Sequence, residues 1–214
     1  MSRTALVEPG RIASWFERFA AGHGGVLRTE LGPRRVRVHG VDGATASVPV
    51  PFEPLDVDAG ERVGLEIDAL VAHFTRRRRI ALLLVRLGGY SVGVALGDQL
   101  QVTSTDRRLV HARHRAGGSS SKRFARRREG QARVALQAAA DAAARVLLPE
   151  LPKVDAVVLG GDRHALAQLR ADRRLVPLFE RAEPGILDVP EPRYTVLAEA
   201  AIRARSARIT IRDP

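Results

Sequence analysis

The 214-residue chain is 45% apolar, contains no cysteine and carries a formal net charge of +11. The apolar fraction excludes a disordered chain, and the lack of cysteine excludes disulfides and thiolate metal sites. No apolar run approaches the roughly 20 residues that a membrane-spanning helix requires, and the start lacks a secretory signal. We therefore predict a soluble, cytoplasmic protein of one or two domains.

Residues 1–75 predict a small helix-and-hairpin unit. Between Gly10 and Gly22 the apolar residues, including Trp15, Phe16 and Phe19, recur at helical spacing, and we predict that these aromatic side chains are core. The predicted strands of the unit cover residues 26–31, 34–39 and 44–50. In the second of these strands, valines alternate with basic residues, so the two residue types should lie on opposite faces. A weakly helical stretch follows at residues 63–74.

After four arginines at positions 76–79, which form a second basic run, the pattern changes, and we predict a second domain over residues 76–214. The predicted strands cover residues 80–86, 90–96, 100–104, 109–113, 154–159, 186–189 and 207–211. The predicted helices cover residues 122–147, 163–170 and 194–205, and Asp162 is the expected N-cap of the middle one. The order of these elements is a strand meander, a long helix and then alternating strands and helices. This order predicts an α/β (α+β) fold, in which helices pack on a mixed sheet.

Positive charge is concentrated between Arg107 and Arg133. This stretch has ten basic residues and one acidic residue, so it accounts for nine of the eleven net positive charges. A concentrated basic patch indicates a polyanionic partner such as RNA, although solvated basic runs also occur on exposed segments. The candidate RNA-binding residues are Arg113, Arg115, Lys122, Arg123, Arg126, Arg127, Arg128 and Arg133.

A narrow tip of small residues interrupts the basic stretch. It comprises Gly117, Gly118, Ser119, Ser120 and Ser121. The two glycines allow a partner to approach the main chain closely. The helix that follows begins with cations, each of which opposes the helix dipole at a cost of about 0.3–1 kcal/mol. Bound phosphates would reverse the sign of that effect, so the placement favours an RNA ligand.

Residues 117–128 resemble the Gly-Gly-Gln loop of eukaryotic and archaeal class-one release factors, in which Gly-Gly-Gln-Ser precedes an Arg-Phe-Ala-Arg helix start. The flanking strands and helix are more similar to the actinobacterial Vms-like release factors, a family of peptidyl-tRNA hydrolases of ribosome rescue. The resemblance covers about residues 76–214 and, more weakly, the N-terminal unit. It implies a fold like the release-factor middle domain and hydrolysis of the peptidyl-tRNA ester on stalled large ribosomal subunits. It also implies that the glycine–serine tip is catalytic, that rRNA and peptidyl-tRNA are partners, and that no cofactor takes part.

The sequence departs from both families at the catalytic glutamine. Class-one release factors have this glutamine directly after the two glycines, where this chain has Ser119. The actinobacterial relatives have Gly-Gly-Trp-Ser-Gln, which places Ser121 at the glutamine position. Three functions therefore stay open: a peptidyl-tRNA hydrolase, a ribosome-binding protein that has lost catalysis, and a general nucleic-acid-binding module.

Other polar residues support weaker predictions. His111 and His114 lie near the tip, but on a strand they would face opposite sides, and the remaining histidines lack ligand spacing, so no metal site is predicted. The sequence Gly160-Gly161-Asp162 predicts a tight turn; a phosphate site there is the weaker alternative, because the rest of a nucleotide-binding fingerprint is missing. No base and orienting acid accompany the serines, which argues against a serine nucleophile. We assume a monomer.

Overall fold

The computed structural model describes residues 2–86, 88–107 and 120–214, without the side chains of Arg107 and residues 120–129. The strands are β1 (Ser2–Val7), β2 (Val26–Leu31), β3 (Arg35–Gly40), β4 (Thr45–Pro49), β5 (Gly60–Val63), β6 (Arg79–Arg86), β7 (Gly89–Leu96), β8 (Gln99–Arg107), β9 (Ala156–Gly161), β10 (Ala182–Leu187) and β11 (Ala207–Arg212). The α-helices are α1 (Ile12–Gly22), α2 (Asp68–Thr75), α3 (Ser120–Val146), α4 (Arg163–Arg170), α5 (Val176–Glu180) and α6 (Tyr194–Arg205). None of the helices described is both long and apolar enough to cross a membrane.

The chain forms two compact units, and its C-terminal end returns to the first. Unit 1 comprises Met1–Arg77 and Ile202–Pro214, and unit 2 comprises Arg78–Ala201. In the division predicted from sequence, all of residues 76–214 form the second domain. The structure instead joins the C-terminal segment to unit 1, because β11 pairs antiparallel with β1 on one side and with β4 on the other.

Unit 1 is a six-stranded sheet in the order β1-β11-β4-β3-β2-β5, with α1 and α2 packed on one face. Val36 and Val38 face this core and lie opposite Val48 and Ala46 of β4, so the predicted alternation along β3 is confirmed. The predicted helix over residues 10–22 is also confirmed. Its Phe16 and Phe19 are buried as predicted, whereas Trp15 is only partly buried and stacks on the Phe19 ring at 5.8 Å.

The predicted helical stretch at residues 63–74 begins too early. The helix starts at Asp68, and the preceding β5 pairs with β2 at the edge of the sheet. All four residues of β5 are exposed. An edge strand without a buried side has no apolar alternation, and this is why its sequence did not predict a strand. β1, the other edge strand, was missed as well.

Unit 2 is a mixed five-stranded sheet in the order β10-β9-β6-β7-β8. The central strand β6 runs parallel to β9 and antiparallel to β7, and its side chains are buried on both faces. Helices α3, α4 and α5 pack on one face. On the other face, α6 packs closely on Gly93 of β7. A Cβ added to Gly93 would lie only 3.0 Å from the Leu197 side chain of α6. The predicted α/β fold with a mixed sheet and packed helices is confirmed.

The turn at Gly160-Gly161-Asp162 packs tightly against β6. Gly161 has a φ of +101°, and a Cβ added there would lie 2.1 Å from the carbonyl oxygen of Val85. Asp162 accepts a hydrogen bond from the Ala165 N–H at 2.7 Å, so the predicted N-cap of α4 is confirmed. Both glycines are therefore explained by the close approach of two parallel strands, as expected for a tight turn.

The four arginines at positions 76–79 do not form one basic patch. Arg76 and Arg77 are exposed, whereas Arg78 is 5% exposed and is part of the protein interior. Arg79 forms an ion pair with Glu150, and its backbone N–H donates to Asp155 at 2.7 Å. The guanidinium of Arg79 lowers the pKa of the Glu150 carboxyl. Only Arg76 and Arg77 of this basic run are therefore exposed and free of the ion pair that engages Arg79, so any contribution of the run to a polyanion site is limited to these two residues.

Candidate functional site

The candidate tip connects β8 to α3 in unit 2. Gly117, Gly118, Ser119, Arg113 and Arg115 lie outside the described residues, as do both histidines near the tip and the strand predicted at residues 109–113. The backbone of α3 begins at Ser120, two residues earlier than predicted, so the last two serines of the tip belong to its first turn. Of the predicted basic residues, Lys122 and Arg123 belong to the same first turn, and Arg126, Arg127 and Arg128 follow on the next turns.

The sheet topology shows at which edge of the sheet β8, the strand that precedes the tip, ends. β6 and β8 are both antiparallel to β7, and β9 is parallel to β6, so these three strands end at the same edge. At this edge β8 ends at Arg107, and β9 ends at Gly161. Helix α4 directly follows β9, whereas α3 is the next described element after β8. The positive dipole end of α4 therefore lies at this edge, which suits an anionic ligand.

Two pairs of exposed polar side chains are described near this edge. Arg86, the last residue of β6, forms an ion pair of 3.1 Å with Asp188, which follows β10. His164, in the first turn of α4, lies 2.8 Å from the amide nitrogen of Gln168. Neither pair has the buried acid and base that would activate a nucleophile. Within the described ranges, no group of three or more metal-ligating side chains occurs.

The C-terminal half of α3 is the anchor for the candidate tip. Its buried residues are Ala135, Ala139, Ala140, Ala142 and Ala143, and the last four belong to the core cluster of unit 2. Small side chains allow a helix to lie close to a sheet, and here α3 covers Tyr90, Val92 and Val94 of β7. Arg133 and Gln137 are exposed on the opposite face. The helix thus presents one apolar face to the sheet and one polar face to solvent.

Arg174 connects α3 to the segment before α5. Its guanidinium lies 2.9 Å from the Asp141 carboxylate on α3 and 2.6 Å from the Asp172 carboxylate. The pKa of the Asp141 carboxyl is lowered mainly by hydrogen bonding to Arg174, with a smaller contribution from the hydrogen bond that Gln137 donates. The side chain of Arg174, and then its backbone N–H, lower the pKa of Asp172. The two carboxylates in turn raise the pKa of Arg174. Sequence reasoning missed this contact because Asp141 is distant along the chain from Asp172 and Arg174.

The lowered pKa values give a pH-dependent contribution to stability. Both aspartates titrate below their usual 3.8 in the folded protein, so their contribution is present above pH 3.8 and is lost as the pH falls through the folded values. We expect Arg174→Gln to lower the melting temperature more at pH 6 than at pH 3. Thermal melts followed by circular dichroism measure this, with the exposed neighbour Arg173→Gln as control. An equal decrease at both pH values would contradict the prediction.

The chain was compared with known families and structures. The model of the "Actinobacteria/chloroflexi VLRF1 release factor" family, acVLRF1, matches residues 78–210. "Peptide chain release factor subunit 1" of Archaeoglobus fulgidus is 26% identical over 123 residues, which are 58% of this chain and 30% of that protein. The chain therefore spans about a third of the length of this curated relative.

Two solved structures are also similar. The archaeal translation termination factor aRF1 has a TM-score of 0.45 and 15% identity, and the match covers 95% of this chain and 66% of that chain. A second structure, described as an archaeal protein, has a TM-score of 0.41 and 16% identity, with coverage of 78% and 51%. The family match includes β6, β8, α3 and the tip between them, and it covers more than half of the chain. The chain belongs to the actinobacterial and chloroflexi VLRF1 release factor family.

Proposed function

We propose that this protein is a ribosome-rescue release factor that hydrolyses the peptidyl-tRNA ester on stalled large ribosomal subunits. The observation that carries the proposal is the family match over residues 78–210, which includes the whole strand–tip–helix segment. The string Gly117-Gly118 followed by Arg-Phe-Ala-Arg at positions 123–126 lies within it. Unit 2 is then the catalytic and RNA-binding unit, and the protein acts in the cytoplasm as a monomer without a cofactor.

The proposed reaction is attack of water on the ester carbonyl that joins the peptide to the tRNA 3′ end. The new carbon–oxygen bond gives a tetrahedral oxyanion. The bond to the ribose oxygen then breaks, and that oxygen takes up a proton as the peptide leaves as an acid. Main-chain N–H groups of the tip, such as that of Ser119, would stabilise the oxyanion. This donor does not depend on the side chain, so its contribution persists without a glutamine.

Positioning of the tip is the second requirement of the proposal. A misplacement of about 1 Å can cost a reaction about 100-fold, so the tip needs a rigid support. The alanine face of α3 in the core of unit 2, together with Arg174, provides this support at the C-terminal half of the helix. The basic residues at the N-terminal half would contact rRNA or tRNA phosphates and hold the tip in place.

A release assay tests the proposal. Large subunits that carry peptidyl-tRNA are incubated with the wild-type chain or with the Gly117→Ala/Gly118→Ala variant, and released peptide is measured. We expect release above the spontaneous rate for the wild type and none above it for the variant, because added methyl groups widen the tip and restrict its backbone. Gly130→Ala is the matched control, since Gly130 of α3 has open space where a Cβ would lie. Equal rates for wild type and the double variant would contradict the enzymatic proposal.

A non-catalytic ribosome-binding protein is the second candidate function. The observation that favours it is the replacement of the loop glutamine by serine at both possible positions, Ser119 and Ser121. This candidate predicts salt-sensitive binding to the large subunit without peptide release. A general nucleic-acid-binding module would instead bind bulk duplex with comparable affinity.

A further inference from the structure

The sheet of unit 1 has a polar face that no helix of the unit covers. Helices α1 and α2 pack on the opposite face, where Val36, Val38 and Ile209 are buried. Because side chains alternate along a strand, the residues between these apolar positions point to the uncovered face. Arg35 and Arg37 of β3 and Arg212 of β11 belong to this set, and the two end residues of the set, Arg35 and Arg212, are exposed.

Strand register places small hydroxyl side chains between these arginines. Arg37 lies opposite Ser47 of β4, which lies opposite Thr210 of β11. Thr45 of β4 lies opposite Arg212. The result is a concavity of about 230 Å³ with a floor of hydroxyl groups and arginines on both sides. β3 and β11 are two strand spacings apart, so the groove is about 10 Å wide.

Glu30 on this face is already engaged by Arg37, whereas the two end arginines of the groove, Arg35 and Arg212, have no acidic partner among the residues that the structure describes. Glu30 of β2 accepts hydrogen bonds from Arg37 at 3.0 Å and from His39 at 2.7 Å. Arg35 and Arg212 form no ion pair with any acidic side chain in the described part of the chain. These two guanidinium groups have no acidic partner within the described residues, so they are available to an anionic ligand.

We propose that this groove binds the sugar-phosphate backbone of RNA. Guanidinium groups donate paired hydrogen bonds to phosphate oxygens, and hydroxyl groups of serine and threonine are common phosphate and ribose contacts. The groove lining includes no aromatic side chain on which a base could stack, so the binding is independent of base sequence. The choice of RNA among polyanions rests on the proposed function, in which the protein acts on the ribosome. The groove is a second RNA contact, on unit 1, separate from the basic stretch of unit 2.

The test compares two double variants of the full chain with the same loss of charge. Arg35→Gln/Arg212→Gln removes the two unpaired groove arginines, and Arg11→Gln/Arg18→Gln removes two exposed arginines from the helical side of the unit. Binding to a fluorescent single-stranded RNA of mixed sequence is measured across a salt series. Each lost phosphate contact lowers the log–log salt slope by about 0.7, which corresponds to about tenfold weaker binding for two contacts near 0.15 M salt. The control variant should change the affinity by less than about threefold.

The outcomes separate this proposal from the proposed function. If the groove variant binds RNA as well as the control variant does, the groove proposal is wrong, whatever the release assay shows. If the wild type releases no peptide but RNA binding still depends on Arg35 and Arg212, the proposed function fails and the groove stands. If only subunit binding falls while RNA binding is unchanged, the groove fits an acidic protein and RNA is the wrong partner. Equal melting temperatures show that the variants are folded.

Discussion

Ser121→Gln is expected to raise the rate of peptide release on large subunits by at least about tenfold. In the actinobacterial release-factor pattern, the glutamine follows the two glycines after two intervening residues, which corresponds to Ser121. An added amide supplies one more hydrogen-bond donor and acceptor for the attacking water and the oxyanion. Removal of a single oxyanion donor typically lowers the catalytic rate about 100-fold to 1,000-fold. A glutamine added to an existing tip should restore part of such a loss, which supports the tenfold figure.

Ser119→Gln is the matched comparison for this prediction. It places the same side chain at the position used by class-one release factors, directly after Gly118. We expect a change of less than about twofold, because the chain belongs to the actinobacterial and chloroflexi family and its tip should follow that spacing. Single-turnover release at saturating protein measures both rates. If Ser119→Gln is the faster variant, the tip follows the class-one spacing and the prediction for Ser121 is wrong.

Neutralising the basic start of α3 is expected to weaken large-subunit binding by about 50-fold near 0.15 M salt. The variant is Lys122→Gln/Arg123→Gln/Arg126→Gln, in the first two turns of the helix. Three lost phosphate contacts should reduce the log–log salt slope by about 2. The same change removes cations from the positive end of a helix, where each opposes the dipole by about 0.3–1 kcal/mol. Binding should therefore fall while the melting temperature stays equal or rises.

The control for this variant removes three exposed arginines elsewhere, Arg11→Gln/Arg18→Gln/Arg173→Gln. Sedimentation of subunits with bound protein across a salt series measures the slopes. An equal loss of binding in both variants would show that total charge, and not the basic stretch, determines affinity. A fall in melting temperature for the α3 variant would indicate a structural role for these cations and would contradict the prediction.

Local sequence signals determined most of the elements of unit 2. The helices α4 and α6 have the predicted bounds. Periodic apolar positions, the Asp162 cap and nearby prolines or glycines all lie within a few residues of the helix ends and determine where the helices begin and end. The strands β6 and β7 were also predicted to within one residue at each end, since both are rich in apolar residues and are bounded by turn residues. The basic stretch and its glycine–serine tip are likewise visible in the sequence, since both consist of neighbouring residues.

The tertiary structure alone decided which distant segments meet. β11 has an alternating pattern like that of β3, but only pairing shows that it joins unit 1 between β1 and β4. The contact of Arg174 with Asp141 and the burial of Arg78 depend in the same way on residues far apart along the chain. The groove of unit 1 needs β3, β4 and β11 side by side, with Arg35 and Arg212 at its two sides. The alternation of residues along a strand indicates which side chains face the core. The order of strands in a sheet is set by pairing between distant segments, and the local sequence contains no signal for that order.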